Sequence, residues 1–338
     1  MALTDIDAGR LADNVFNNVG PFKNRIINGD MRIDQRNAGA SVTPTGDTQY
    51  TLDRYQARLT QSSKYSVQRS TTAPEGFTNS LLVTSLSAYS VTSTDRFALG
   101  QIIEGYNIAD LGWGTANAKA VTVSFWVRSS LTGTFGGSIA GAAADQFYVF
   151  SYSISSADTW ENKTITVPGA TAGTWNTDNT VGLNLRLGLG AGTSTSGAAG
   201  SWGATNFWQP TGSVSVVGTN GATFYITGVQ LEVGSVATPF EHRSYGDELA
   251  KCERYYQAVY NHSYYYLNGQ ATIYANFPHR QKMRITPTSY ALIAGSAYSN
   301  TLTFSPTPQT ENGGILYIGS SGAGYAGGFG TYSATAEL

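Results

Sequence analysis

Leu183, Leu185, Leu187 and Leu189 alternate along the chain with Asn184, Arg186, Gly188 and Gly190. A repeat of two sets the leucines on one face of an extended segment and polar or side-chain-free positions on the other, which a helix with its repeat of 3.6 cannot do. Leucines so placed are buried by a sheet with one covered face. Val121, Val123, Phe125 and Val127 repeat the pattern against Thr122, Ser124, Trp126 and Arg128. Arg96–Glu104, Phe147–Ile154 and residues 163–167 are further strand candidates, set at short intervals with turn-forming residues between them. No crossover helices are evident between them, so the strands are expected to pair antiparallel in a sandwich or barrel.

Composition narrows the function classes. Charged residues make up 12% of the 338 positions, about half the usual share, while glycine and hydroxyl-bearing residues are abundant. That suits a β-rich protein with a neutral surface. A net charge of -2 gives no electrostatic reason to expect a nucleic-acid partner. The single cysteine, Cys252, excludes an intrachain disulfide and a cysteine-based zinc site within one chain. The opening residues have no basic region followed by an apolar run, and no apolar stretch is long enough to span a bilayer. The expectation is a protein made in a cytoplasm without membrane insertion.

Three kinds of structure meet in residues 224–256. Phe224 and Ile226 place apolar side chains on even positions and Val229, Leu231 and Val233 on odd ones, so the alternation slips at Thr227-Gly228, as a bulge at Gly228 would cause. Pro239 then takes the chain out of the sheet. A short helix follows, with Asp247 the expected N-cap and Leu249, Cys252 and Tyr256 on one stripe. Three segments result: an arm at residues 1–22, in which Leu11 and Val15 are an i, i+4 pair; a β domain at 23–245; and the helix with a Tyr-rich β domain at 246–338, where Asn268-Gly269 reads as a hairpin turn.

Residues 227–243, Thr-Gly-Val-Gln-Leu-Glu-Val-Gly-Ser-Val-Ala-Thr-Pro-Phe-Glu-His-Arg, followed by Glu-Leu-Ala-Lys-Cys-Glu-Arg-Tyr-Tyr at 248–256, resemble a signature shared by many bacteriophage tail-fibre-like virion proteins. In that family the signature ends a jelly-roll domain similar to carbohydrate-binding modules. Residues 24–36, with Asn28-Gly29-Asp30, resemble the opening strand of the same domain, and Leu52-Asp53-Arg54-Tyr55 its next feature. Phe277-Pro278, Met283-Arg284, Pro287-Thr288 and the ending Ala336-Glu337-Leu338 are similar to the family's later pattern. The resemblance implies an all-β chain: an antiparallel jelly-roll sandwich, then a smaller C-terminal β domain. It also implies a virion protein that is usually a homotrimer, with the Leu249, Cys252 and Tyr256 stripe a candidate subunit contact. Such a protein would join other tail or capsid proteins through its N-terminal arm, the residues themselves suiting equally a segment packed on its own subunit, and present a surface to host glycans.

Catalysis is the reading to weigh against this. Cleaving a glycosidic bond takes two carboxylates facing one cleft, and the plausible acids, Glu104, Asp145, Glu161 and Glu232, stand singly. His242, His262 and His279 lack metal-ligand spacing, and the glycines of residues 188–192 are not followed by the Lys-Ser/Thr of a phosphate loop. The expectation is no enzyme, no cofactor and no metal. Trp202, Phe207 and Trp208, in a glycine-flanked stretch, are the candidate glycan-binding rings, since the C–H face of a sugar packs on an aromatic face. The competing reading caps the sandwich with them. A head fibre or decoration protein is the alternative within virion proteins, and a polysaccharide-degrading spike the alternative among enzymes.

Overall fold

The computed structural model describes residues 23–267, 272–297, 301–320 and 323–338. The expected arm at 1–22 and the Asn268-Gly269 turn lie outside them. The chain divides between Arg243 and Ser244 into two compact units.

In unit 1 the strands are β1 (Gln49–Tyr50), β2 (Gln56–Leu59), β3 (Tyr65–Ser70), β4 (Ser80–Ser85) and β5 (Arg96–Glu104), then β6 (Val121–Ser129) and β7 (Gly133–Gly141). β8 (Phe147–Ile154), β9 (Glu161–Val167) and β10 (Val181–Ala191) follow. Three two-residue strands, β11 (Ser196–Gly197), β12 (Trp202–Gly203) and β13 (Gln209–Pro210), precede the closing β14 (Thr223–Val233). One sheet has the order β1-β2-β5-β10-β7-β8-β12 and the other β3-β4-β14-β6-β9. All pairings within these two sheets are antiparallel. The unit is a jelly-roll β-sandwich.

The alternating residues fill it. Val121, Val123, Phe125 and Val127 from one sheet and Leu183, Leu185, Leu187 and Leu189 from the other are buried in a single core. Phe125 of β6 meets Tyr152 of β8 at 5.1 Å between ring centroids, and Phe135 of β7 meets Phe224 of β14 at 6.2 Å, so aromatic rings tie the sheets face to face. The slip in β14 is a bulge: its register against β6 shifts between Thr227 and Gln230, and Gly228 takes φ 63, a conformation that favours glycine. Past the bulge Val229 and Leu231 join the core, and Gln230 and Glu232, on the opposite face of the strand, are buried as well.

Residues 24–36 do not form the expected strand. Asn28 and Met31 both take φ 59, which breaks a ladder, and Asn28 replaces a neighbouring strand with its own amide. Its Nδ2 donates to Ile33 O at 2.8 Å and Asp53 O at 3.0 Å, and its Oδ1 accepts from Ile33 N at 2.9 Å. The segment bridges the two sheets: Arg25 N donates to Leu231 O of β14 at 2.9 Å, and Ile27 exchanges two hydrogen bonds with the Gln101 amide of β5. Leu52-Asp53-Arg54-Tyr55 is a buried turn beside it, where Asp53 accepts from Gln35 N and Nε2, both at 2.7 Å, and Arg54 Nη2 donates to Ile102 O at 2.5 Å.

The outgoing chain is fastened to the same place. Gln230 and Glu232 hold residues 238–241: Thr238 N and Oγ1 donate to Glu232 at 2.9 and 2.6 Å, and Glu241 N donates to Gln230 Oε1 at 2.9 Å. Glu241 Oε2 accepts from Asn24 N at 2.8 Å, and Arg243 donates to Ile26 O at 3.1 Å and to Asn24 O. Gly29 closes this lock. An added Cβ there would collide with Val229 O.

Unit 2 opens with helix α1 (Tyr245–Glu253). Its N-cap is Ser244 rather than Asp247: Ser244 Oγ accepts from Asp247 N at 3.2 Å and donates to Asp247 Oδ2 at 2.7 Å, a reciprocal cap that starts the helix earlier than expected. Six strands follow, β15 (Tyr256–Leu267), β16 (Thr272–Pro278), β17 (Ser289–Ala297), β18 (Thr301–Thr310), β19 (Gly313–Ser320) and β20 (Gly324–Thr335). They form antiparallel sheets of order β15-β20-β17 and β16-β19-β18. Met283 is buried with Ala334 and Ala336. Arg284 donates through Nε to Ala336 O and through Nη2 to Glu337 O, both at 3.0 Å.

Candidate functional site

The stretch between β10 and β14 carries the three candidate rings, and the polar face of β10 positions it. Thr195 Oγ1 and Gly192 N donate to Asp95 O at 2.6 and 2.9 Å, and Trp208 N donates to Thr195 O at 2.8 Å. β11 then pairs in parallel with β13. A Cβ at Gly188 would collide with Gln209, and one at Gly136 with Pro210. Gly188 of β10 and Gly136 of β7 are thus seats for this crossing segment.

The rings part company. Trp202, on edge strand β12, pairs with Tyr148 of β8 and joins Trp113, Trp175 and Tyr148 at centroid distances of 5.4, 5.6 and 5.3 Å. Its Nε1 donates to Pro168 O at 2.8 Å. It is half-buried, at the rim of the core. Phe207 is half-buried against Gly197. Trp208 is 3% exposed, and cations cover it: Arg186 Cζ at 3.9 Å, Arg96 Cζ at 4.9 Å and Arg58 Cζ at 5.0 Å from the ring. Trp208 is therefore not the open sugar platform expected of it; it packs on the polar face of the sheet. The side chains of Tyr264, Tyr265 and Tyr266, the competing location, lie outside the description.

The arginines were missed in the sequence. Arg186 interrupts the polar face of β10, Arg96 begins β5 and Arg58 lies in β2, and only the register β2-β5-β10 brings them together. Asp47 Oδ1 accepts from Arg58 Nε and Leu59 N, both at 3.0 Å, and its Oδ2 accepts from Arg96 Nη2 at 3.1 Å. Burial pushes the Asp47 pKa up, but Arg58, Leu59 N and Arg96 outweigh it and hold the group below its usual value. Arg186 Nη1 donates to Asn206 Oδ1 at 2.7 Å. Burial, then repulsion from Arg58 and Arg96, lowers its pKa to about 9.

The candidate acids are spread across the unit. Glu104 ends β5 and Glu232 lies in β14 of the other sheet. Glu161 and Glu232 flank β6 opposite Val127 and Thr122, which at strand rise sets them roughly 16 Å apart along it, beyond glycosidase spacing. Lys163 and the Ser156 and Ser155 amides hold Glu161 at about 2. Asp145 accepts from Thr174 N at 2.9 Å. His242 is exposed and stacks with Phe77 and Phe240, and His279 Nδ1 lies 3.0 Å from Glu311 O. The side chain of His262 lies outside the description. Of the helix stripe, Cys252 and Tyr256 are buried within the chain, Tyr256 as the first residue of β15, and Leu249 is half-buried.

Asp95 anchors the ring-bearing segment through its main-chain carbonyl, and its carboxylate, bonded to Thr60, Tyr89 and Thr92, gives unit 1 a pH dependence. Burial pushes its pKa up, but Thr92 N and Oγ1, Thr60 Oγ1 and Tyr89 OH, all within 2.8 Å, outweigh that and hold it at about 2. A carboxylate whose pKa is depressed on folding contributes stability that is complete above about pH 4 and is lost as the pH falls through its folded pKa. The Asp95→Asn variant is expected to melt below wild type at neutral pH, with the gap narrowing from about pH 4 to about pH 2. Calorimetry across that range checks it; a constant gap would show that the carboxylate charge contributes nothing.

No family model and no curated protein matches this sequence. Among solved structures, the enzymatically active domain of tailspike protein 4 from bacteriophage CBA120 aligns at 12% identity over 64% of this chain and 22% of its own, with a TM-score of 0.33. This chain thus spans about a fifth of that protein's length. The CBM22-1 xylan-binding domain from Paenibacillus barcinonensis aligns at 11% identity over 60% of this chain and 99% of its own, TM-score 0.27. A family 11 carbohydrate-binding module of a Clostridium thermocellum cellulosomal cellulase aligns at 14% identity over 61% and 99%, TM-score 0.28.

Proposed function

We propose that this chain is a structural virion protein of the tail-fibre-like kind, that its jelly-roll unit meets host-surface glycan, and that it acts by binding rather than by cleaving. One observation carries the reading. The residues that resemble phage fibre proteins, at 24–36, 52–55 and 227–243, are gathered into one hydrogen-bonded lock from positions as far as 219 residues apart, as in Asn24 to Arg243. The segments that carry the resemblance are therefore the ones that close the domain. Met283, Arg284 and Ala336 serve unit 2 in the same manner. Labelled antibody on intact particles tests it: decoration of the tail supports a fibre, decoration of the head supports the head-fibre alternative, and no decoration overturns the virion reading.

Trp202 is the ring to test first for glycan. Whatever charge a glycan carries, its sugar rings present C–H faces and hydroxyls that aromatic faces and a few hydrogen bonds can hold, and Trp202 is the candidate tryptophan that is not fully buried. The Trp202→Ala variant is expected to bind host cells about tenfold more weakly while remaining folded by circular dichroism. Unchanged cell binding would place the contact elsewhere. Trp208→Ala should instead lower stability, because its ring packs beneath three guanidinium groups.

The assembly expected is a homotrimer, in which three weak sites at fixed spacing reinforce one another through effective concentration. Light scattering on the purified chain should give the trimer mass, and a monomer at micromolar concentration would rule it out. Incubation with host polysaccharide should leave its chain length unchanged.

A further inference from the structure

We infer that Arg58, Arg96 and Arg186, gathered over Trp208, form a binding site for a carboxylate carried by an acidic sugar of the target glycan. This rests on the glycan reading above and names the ligand's charge.

The geometry sets out the case. Three guanidinium carbons lie between 3.9 and 5.0 Å from one ring centroid, and among the described residues one carboxylate, Asp47, meets two of them. Three cations face one anion, a formal excess of two positive charges. Arg186 is the deepest, at 6% exposure. Among the described residues no carboxylate lies within ion-pair distance of it, Asp47 acting on it only from farther off, and its Nε is buried without a hydrogen-bond acceptor. Directly across the strand pair, Ser138 of β7 is fully buried and its Oγ is likewise unpartnered. A protein seldom leaves a buried guanidinium uncompensated, since taking its charge out of water is costly. Stacking on Trp208, and on Phe147 at 5.6 Å, offsets part of that, and the unpartnered Nε leaves one donor to be met.

The rest of the cluster suits an incoming sugar acid. Arg96 and Asp47 keep 29% and 32% of their side chains exposed, and Asn206, which holds Arg186, is exposed, so the group is reached from that side. The planar guanidinium fork matches the two oxygens of a carboxylate. Asp47 and Asn206 offer acceptors for neighbouring sugar hydroxyls. A neutral sugar would leave the excess charge unanswered.

The test uses the full chain and oligogalacturonate, with a neutral oligosaccharide of equal length, inorganic sulfate and inorganic phosphate as the other arms. Titration calorimetry at low salt is expected to show binding of oligogalacturonate, weakening as salt rises, and no binding of the neutral oligomer. Arg186→Gln is expected to weaken it by about tenfold or more, and Arg128→Gln on the other sheet to leave it unchanged. If Arg186→Gln does not fold, Arg96→Gln, partly exposed, carries the same expectation. Equal binding of the neutral oligomer, or full binding by both arginine variants, overturns the inference. Sulfate or phosphate binding without oligogalacturonate binding overturns the sugar assignment while leaving the rest of the proposed function standing, and binding in no arm overturns the site altogether.

Discussion

Arg243→Ala is expected to unfold unit 1 far more readily than any exposed charge removal, by about 3 kcal/mol, or roughly 6–12 °C in the thermal midpoint. The Arg243 guanidinium is nearly buried, paired with Glu241 at 2.9 Å, and it donates to the carbonyls of Asn24 and Ile26. Truncation leaves one half-buried carboxylate and two carbonyls short of a donor at once, and the carboxylate that loses its counter-charge is the expensive part. Arg243→Lys should recover little, because a single ammonium cannot span three acceptors. Differential scanning calorimetry of both variants decides it, and a shift of under about 2 °C for alanine would mean that the lock is not a stabilising element.

Gly29→Ala should produce the second largest loss, about 2 kcal/mol and roughly 4–8 °C. Gly29 is not in the left-handed region; Asn28 before it is. Its constraint is the approach of two backbones: Val229 N donates to Gly29 O at 2.9 Å, and a methyl group would strike Val229 O, with the Phe240 ring at 3.2 Å behind it. Neither backbone can yield without lifting residues 24–30 off β14. Val229 amide hydrogen exchange should accelerate in the variant together with the fall in melting temperature. Protection equal to wild type would show that the segment tolerates the methyl group.

How much of this was legible follows from which interactions are local. The faces of β6 and β10 could be read because burial follows the two-residue repeat, and the bulge at Gly228 because the apolar positions change parity around it. Residues 24–36 misled because their mixture of apolar and polar positions imitates a strand. What replaces a neighbouring strand there is the Asn28 side chain and an amide, Gln101, distant in sequence. The cap of α1 fell on Ser244 because Ser-x-x-Asp bonds reciprocally, and Asp247 serves from inside the helix. At the candidate site, a spacing of only six residues from Trp202 to Trp208 suggested one aromatic surface. The fold sends the first to the β8 edge and the second beneath three arginines. Those arginines belong to three strands, and nothing short of the register shows that they share a face.

The lock also decides how the jelly-roll unit carries load. Asn24 and Arg243 are bonded to each other, so the points where the chain enters and leaves the sandwich coincide. Tension applied between residues 23 and 244 bears first on the contacts of Lys23 with Pro239, Asn24 with Glu241 and Arg243 with Asn24, and the long ladders of β5, β6, β10 and β14 stay out of the line of force. The unit hangs beside a taut strand like a bead on a knot: it can be jerked without being stretched, and it opens only after the knot slips.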